Sequence, residues 1–261
     1  MQTGNTLAMS PSSSPPRRSG WPRPTPFPQL APGQVHCWRA DLALPPSELD
    51  RLYSLLSPRE RAQADRLRSP LHRSRWLAGH GLLRELSGHY LGQDPAGLVY
   101  RYGDHGKPYL VSAPELCFNL TDSHGLALCA FSLRRELGVD LERVRTGRDN
   151  MPLAHRVYSP TEVGTLAALP EPARTQAFFV YWTRREAHLK ALGTGLSGPD
   201  RLLDFSCVPL PDFATGRPAP KPLFPGWFLV DLDPAPGFAG ALVVEGTGWE
   251  LACWEWTPRL G

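Results

Sequence analysis

Two carboxylates separated by a single residue are the first candidates for chemistry. Asp140 and Glu142 alternate with the apolar residues Val139 and Leu141. Successive side chains of a β-strand point to opposite faces, so we expect both acids on one face and both apolar residues in the core. The same alternation is also typical of an ordinary half-exposed strand.

A third carboxylate, Glu186, precedes Lys190 by four residues. On a helix this spacing makes the two side chains neighbours, either as a surface ion pair or as part of a site. Three carboxylates suit a hard cation such as Mg²⁺ or Mn²⁺, and a lysine suits a phosphate. These groups are the components of metal-assisted phosphoryl transfer.

Three further segments carry groups that suit a phosphate or an acidic partner. Residues 106–108, Gly-Lys-Pro, are predicted to present Lys107 at the tip of a turn. Residues 118–125 are predicted to form a strand that enters a polar turn, where polar side chains either bind a ligand or organise the turn. Residues 57–84 contain seven arginines, which indicate a solvated helix face or a surface for phosphate or an acidic protein.

The elements that must position these groups occur in the same order twice. Ser57 and Ser159 each begin an S-P-x-E sequence, which predicts a capped helix start. A long helix follows each start, over 71–91 and 173–192, and each stops before a glycine. Short β-branched and aromatic runs follow both helices. The sequence therefore predicts an α+β protein of two pseudo-symmetric halves, each strand–helix–helix–antiparallel strands.

Three segments follow from this organisation. Residues 1–34 contain eight prolines and no acid, so we expect a disordered tail. Residues 35–133 form the predicted N-terminal half. Residues 134–261 form the predicted C-terminal half, which carries the candidate metal site.

Composition and charge exclude several classes of protein. The 261 residues include 28 Lys plus Arg and 25 Asp plus Glu, and the tail arginines account for the net charge of +3. The neutral body lacks the basic character of a nucleic-acid-binding protein. Its apolar runs are far shorter than the roughly 20 residues of a membrane helix. Five cysteines without a C-x-x-C pair fit a reducing compartment. We therefore expect a cytoplasmic protein with no nucleic-acid or membrane partner.

The ordered set of motifs resembles the surfactin-synthetase type of 4'-phosphopantetheinyl transferase. The matching segments are the first S-P-x-E start and residues 75–79, 106–108, 118–120, 138–142, 182–190 and 193–196. The resemblance implies a monomer of two similar halves with coenzyme A between them. It also implies a reaction in which a serine of an acyl or peptidyl carrier protein attacks the β-phosphate of coenzyme A. The 4'-phosphopantetheine arm is then transferred and 3',5'-ADP leaves.

The resemblance also implies roles for individual residues. Asp140, Glu142 and Glu186 correspond to ligands of Mg²⁺, with Mn²⁺ as a possible substitute. Glu186 also corresponds to the residue that takes, or positions the base that takes, the serine proton. Lys190 corresponds to a contact of the pyrophosphate.

Four positions correspond to contacts of coenzyme A. Arg75 and Lys107 match positions that contact its phosphates, and Thr121 and Asp122 match the Ser-His pair that holds its 3'-phosphate. Asp122 departs from that pattern because it places a carboxylate where a phosphate is expected.

Two more residues depart from the family pattern. Arg185 stands where lysine is common beside the metal-binding glutamate, and His80 stands where many relatives have arginine. Two other functions remain open on the residues alone: a non-catalytic basic-patch protein that binds an acidic partner or RNA, and a metal-dependent nuclease. The resemblance does not identify the carrier protein.

Overall fold

The computed structural model describes residues 21–194, 203–212 and 219–258. Within these ranges it is an α+β protein, as the sequence predicts. Its helices are α1 (Pro46–Leu55), α2 (Pro58–Asp65), α3 (Pro70–Leu91), α4 (Met151–Val157), α5 (Pro160–Ala168) and α6 (Ala173–Leu192). Its strands are β1 (Gln34–Asp41), β2 (Tyr100–Tyr102), β3 (Pro108–Leu110), β4 (Leu116–Ser123), β5 (Leu126–Leu133), β6 (Leu137–Arg143), β7 (Lys221–Phe224), β8 (Trp227–Leu232), β9 (Phe238–Glu245) and β10 (Glu250–Glu255).

The predicted helix signals set the helix ends. The Ser159 hydroxyl accepts from the Glu162 amide at 3.1 Å, and the Glu162 carboxylate accepts from the Ser159 amide at 2.7 Å. The same capping box begins α2 at Ser57. Gly92 and Gly193 end the long helices α3 and α6 with φ of 61° and 67°, a conformation that glycine adopts without strain. No helix in the described ranges is long and apolar enough to cross a membrane.

Two four-stranded sheets and one small ribbon make up the β structure of the described chain. The strand orders are β10-β1-β5-β4 and β6-β9-β8-β7, and β2 pairs with β3. The antiparallel strands β1-β5-β4 and β6-β9-β8 are connected in the same way. In each set the strand that comes first in the chain pairs with the last, and the last pairs with the middle one. The order of one strand, then helices, then strands occurs twice, with three helices after β1 and three after β6 where the sequence predicts two.

The last strand does not stay with the half in which it was predicted. β10 pairs in parallel with β1, with Cys253 opposite Cys37. The prediction that 134–261 forms one separate half is therefore wrong for β10, which extends the sheet of the N-terminal half. Without β10, β1 would be an edge strand, because β5 pairs with only one of its sides. The unpaired N–H and C=O groups of such an edge favour the addition of another strand.

The prediction of a disordered tail through residue 34 is wrong for residues 21–34. Trp21 is 5% exposed, and its indole N–H donates to the carbonyl oxygen of Asp233 at 2.9 Å. Phe27 stacks on Trp38 with 4.7 Å between ring centroids. These two large aromatic side chains attach residues 21–34 to the folded body. The high proline content of the segment led to the prediction of disorder.

Candidate active site

The candidate residues meet where β4 lies against β6, at the boundary between the two large sheets. Asn119, on β4, accepts a hydrogen bond from the Val139 amide at 2.9 Å, and this bond is buried. Two residues later, the Thr121 hydroxyl donates to Asp140 Oδ1 at 3.2 Å. Because alternate residues of a strand share one face, this side of β4 is aligned with the acidic strand β6.

The same alignment continues at the end of β4. The Ser123 hydroxyl donates to Glu142 Oε2 at 3.0 Å and accepts from the Arg143 amide at 3.2 Å. Ser123 therefore fixes both the side chain of Glu142 and the backbone beside it. Sequence reasoning assigned no such role to Asn119 or Ser123. The sequence did contain a signal for them: Asn119, Thr121 and Ser123 are polar residues at alternate positions of one predicted strand.

Helix α6 lies directly on β6 because Gly138 has no side chain. A methyl group at this position would overlap the Ala187 carbonyl oxygen and the Ala191 amide. The close approach brings the helix face that carries Glu186 and Lys190 to the acidic strand. A glycine in a strand often marks such a close approach of another backbone.

Lys190 contacts β6 and β4, and of the two alternatives for Lys190 and Glu186 the surface ion pair is not formed within the described chain. Its ammonium lies 2.6 Å from Asp140 Oδ1 and 3.0 Å from the Thr121 hydroxyl. The other oxygen, Oδ2 of Asp140, is buried without a hydrogen-bond partner among the described residues. Asp140 thus has one oxygen bound by lysine and one that is still available.

The three carboxylates are close enough to affect one another. Burial raises the pKa of the Glu142 carboxyl, the Ser123 hydrogen bond lowers it, and the charge of Asp140 raises it again. Burial also raises the pKa of Glu186; Asp140 and Glu142 add to this effect, and Lys190 opposes it. This mutual repulsion is what a bound cation would relieve. We call Asp140, Glu142 and Glu186 the carboxylate site.

The donors of the carboxylate site fit a hard divalent cation. All are carboxylate oxygens, which Mg²⁺ and Mn²⁺ prefer, and one of them is a buried oxygen without a partner. Among the described residues, no group of three or more His, Cys, Asp or Glu is already arranged to hold a metal ion.

Lys107 lies at the opposite end of β6. Its ammonium donates to Glu136 Oε2 at 2.6 Å, to the Ala191 carbonyl at 2.8 Å and to the Leu137 carbonyl at 3.1 Å. An ammonium has three donors, and these three acceptors match them. Lys107 therefore joins the turn before β3 to the start of β6 and the end of α6, and its contact with a phosphate stays a prediction.

A cavity of about 440 Å³ begins beside Lys107. Pro108 and Phe118 line it from the N-terminal half, and Gly193 and Trp227 line it from the C-terminal half. It is therefore formed by both halves and lies next to the end of α6.

The other predicted coenzyme contacts lie around the β4–β5 turn. Arg75 packs against Gly125, whose φ is +90°; an ideal Cβ there would be 3.4 Å from the guanidinium. Asp122 is exposed and follows Thr121, so it lies on the other face of β4. There its charge raises the pKa of His80, which burial lowers overall. Asp122 and Arg75 form no ion pair within the described chain, and Asp122 does not join the carboxylate site.

Arg185 points away from the carboxylate site although it precedes Glu186. Its guanidinium is buried and donates to Glu162 Oε2 at 3.0 Å and to the Leu203 carbonyl at 2.8 Å. Arg185, which stands where the resemblance leads us to expect a lysine, therefore holds α5 against α6. A helix turns by about 100° per residue, which puts neighbours on different faces.

Comparison with known proteins identifies similar chains. Residues 136–236 match the family model described as the 4'-phosphopantetheinyl transferase superfamily. The chain is 37% identical over 230 residues to the 4'-phosphopantetheinyl transferase HetI of Nostoc sp.. The aligned region covers 87% of this chain and 94% of that protein. The chain is 32% identical over 172 residues to a 4'-phosphopantetheinyl transferase of Bacillus subtilis, covering 66% and 74%. The 4'-phosphopantetheinyl transferase Sfp of Bacillus subtilis is 28% identical over 159 residues, covering 61% and 70%.

Proposed function

This chain belongs to the 4'-phosphopantetheinyl transferase superfamily and is an enzyme that transfers the phosphopantetheine arm of coenzyme A, and we propose that the carboxylate site carries out this reaction with Mg²⁺. The acceptor is the serine of an apo acyl or peptidyl carrier protein. The observation that supports the proposal best is the packing of α6 on β6, which couples the charges of three carboxylates and places Lys190 beside them.

Asp140, Glu142 and Glu186 would hold the divalent cation. When bound, the cation supplies positive charge that neutralises the pyrophosphate and the leaving phosphate. Ser123 fixes the Glu142 carboxylate through its hydrogen bond. Lys190, on its flexible stem, can reach a phosphate held next to Asp140, and its point charge suits that role.

Glu186 is the residue that we propose as the base. It is half-buried and lies within electrostatic range of Asp140 and Glu142, so its carboxylate can accept the proton of a serine that approaches a phosphate bound there. As the carrier serine Oγ bonds to the β-phosphorus, its proton passes to Glu186. The bond between the β-phosphorus and the bridging oxygen breaks, and 3',5'-ADP leaves with that oxygen.

The coenzyme would lie between the halves, with the cavity of about 440 Å³ at one end of its path. Arg75 and Thr121 border this path beside the β4–β5 turn. Lys107 contributes a phosphate contact only if it leaves Glu136, to which it is bound at 2.6 Å. Asp122, exposed on the other face of β4, is the weakest of the predicted contacts.

We further propose that the enzyme is a cytoplasmic monomer of two pseudo-symmetric halves. The common order of β1-β5-β4 and β6-β9-β8 supports the internal symmetry. The capping boxes at Ser57 and Ser159 support it as well, because each begins the second helix of its half.

The test is incubation of the enzyme with a panel of apo carrier proteins, coenzyme A and Mg²⁺, followed by the intact mass of each carrier. We expect at least one carrier to gain a single phosphopantetheine arm, and no carrier to gain it in excess chelator. A panel that stays unmodified, or full transfer in chelator, would contradict the proposal. A carrier in which the acceptor serine is replaced by alanine controls for non-specific attachment.

A further inference from the structure

The contact between Lys190 and Asp140 has a consequence for cation binding. The Lys190 ammonium lies 2.6 Å from Asp140 Oδ1, on a carboxylate whose side chain is only 6% exposed. The Lys190 side chain is 30% exposed. The ammonium is therefore a partly exposed cation on a buried carboxylate.

The ammonium neutralises a cluster that would otherwise repel itself. Its charge lowers the pKa of both Glu142 and Glu186, against the effect of burial and of Asp140. A divalent cation would serve the same carboxylates. Two cations at the same oxygen repel each other, so the lysine and the divalent cation compete for Asp140.

Thr121 makes the lysine position a defined one. Its hydroxyl donates to Asp140 Oδ1 at 3.2 Å and lies 3.0 Å from the ammonium, so the three groups form a closed set. A second position is available when a phosphate lies nearby, because the four-carbon stem of lysine is flexible and its ammonium binds phosphate as a point charge.

We propose that Lys190 is an internal counter-ion, which occupies Asp140 until a phosphate-bearing ligand draws its ammonium away, so that the divalent cation and coenzyme A bind cooperatively. This inference rests on the proposed cation site. It assigns Lys190 a positioning role before the reaction, in addition to its predicted contact with the pyrophosphate.

Cooperative binding is measurable without turnover. If coenzyme A tightens cation binding by some factor, the cation tightens coenzyme A binding by the same factor. We expect a factor on the order of ten in the wild-type enzyme, within the range of typical coupling between sites. In Lys190→Met the cation should bind about tenfold more tightly in the absence of coenzyme A, and the coupling factor should be smaller than in the wild-type enzyme, leaving only the part that comes from the cation's own attraction to the pyrophosphate.

The experiment titrates Mn²⁺ into the wild-type enzyme and its variants and follows free Mn²⁺ by electron paramagnetic resonance. Each titration is done without and with saturating coenzyme A, and a titration without protein corrects for Mn²⁺ bound by the coenzyme itself. Lys221→Met is the matched control, because Lys221 is also a paired lysine, 3.2 Å from Asp231, and lies away from the carboxylate site. Circular dichroism verifies that each variant is folded.

Equal Mn²⁺ affinity in Lys190→Met and the wild-type enzyme, or an unchanged coupling factor, would overturn the inference. Loss of any positive charge tightens cation binding to some extent, so the decrease in coupling is the decisive result. Asp140→Asn separates this outcome from failure of the proposed function. If Asp140→Asn binds Mn²⁺ as the wild-type enzyme does, the cation site itself is wrong and the inference falls with it.

Discussion

The long helices α3 and α6 carry the same two residue types at the same distance from their ends. The pair Arg84–Glu85 precedes Gly92 as the pair Arg185–Glu186 precedes Gly193. The two arginines also have equivalent partners. Arg84 pairs with Glu60 and Arg185 with Glu162, and each of these glutamates belongs to the capping box of the preceding helix.

The two glutamates differ. Glu85 is buried and held in a salt bridge by Arg51 of α1, which also binds Glu48. Glu186 is half-buried and forms no ion pair within the described ranges, while the acids of β6 lie close enough to raise its pKa. The same helix arrangement therefore carries a structural glutamate in one half and a glutamate available to a cation in the other. A nearby arginine makes the glutamate structural, and nearby carboxylates make it available to a cation.

The largest expected effect separates the two glutamates. Glu186→Gln should lower the transfer rate by about 10²–10⁴-fold, the usual contribution of a general base. Glu85→Gln should leave the transfer rate within about threefold and lower the free energy of unfolding by about 1–3 kcal/mol, because Arg51 loses a charged hydrogen-bond partner. Single-turnover transfer and urea unfolding measure the two effects. Equal losses of transfer in both variants would remove the distinction between the halves.

The neighbouring arginine should show the opposite behaviour. Arg185→Met breaks a buried pair with Glu162 and should lower the free energy of unfolding by about 3–5 kcal/mol, since it leaves an uncompensated buried charge. Arg84→Met is the matched change in the N-terminal half and should have a similar effect. Transfer by folded Arg185→Met should persist. A stable but inactive Arg185→Met would place this residue in the site after all.

The connection between the halves should contribute somewhat less. Trp21 packs in a core cluster that contains Val35 of β1 and Val139 of β6, and it donates to the Asp233 carbonyl. Trp21→Ala should therefore cost about 3 kcal/mol, at the lower end for a large aromatic residue. Urea unfolding of Trp21→Ala and of a chain lacking residues 1–20 checks this. An unchanged midpoint in Trp21→Ala would show that residues 21–34 do not stabilise the fold.

The smallest effect concerns pH in the absence of a divalent cation. Burial and the other acids raise the folded-state pKa of Glu186 above its ordinary value of 4.5. The unfolded chain then releases this proton first as the pH rises from 4.5, so the wild-type enzyme loses stability through that range. The stability of Glu186→Gln relative to wild type should therefore increase from pH 4.5 toward neutrality. Urea midpoints across this range in chelator measure it, and a constant or decreasing difference would show that the site carries no excess negative charge.

Local signals predicted the elements and the members of the carboxylate site. Capping by Ser159 and the stop at Gly193 depend on residues within one helical turn, which the sequence displays directly. Alternation along β6 predicted that Asp140 and Glu142 share a face. The position of Glu186 within electrostatic range of these acids depends on the close approach at Gly138, which a glycine inside a predicted strand indicates but which the alternation alone does not.

Contacts between segments that are far apart in the chain could not be predicted from local sequence patterns. The addition of β10 to β1, the docking of Trp21 and the turn of Arg185 toward Glu162 all depend on segments that are far apart in the chain. The contact of Lys190 with Asp140 is of the same kind. Helical spacing left a surface ion pair with Glu186 open as one alternative, but the lysine instead pairs with the buried carboxylate of the adjacent strand.

The measurement that tests the carboxylate site most directly is the anomalous diffraction of Mn²⁺ in crystals grown with coenzyme A. We predict one peak bounded by oxygens of Asp140, Glu142 and Glu186, at about the 2.0–2.2 Å expected for a small hard cation, with the Lys190 ammonium moved from Asp140 to a phosphate. A peak beside Glu85, or one held by the coenzyme phosphates without these three residues, would contradict the account.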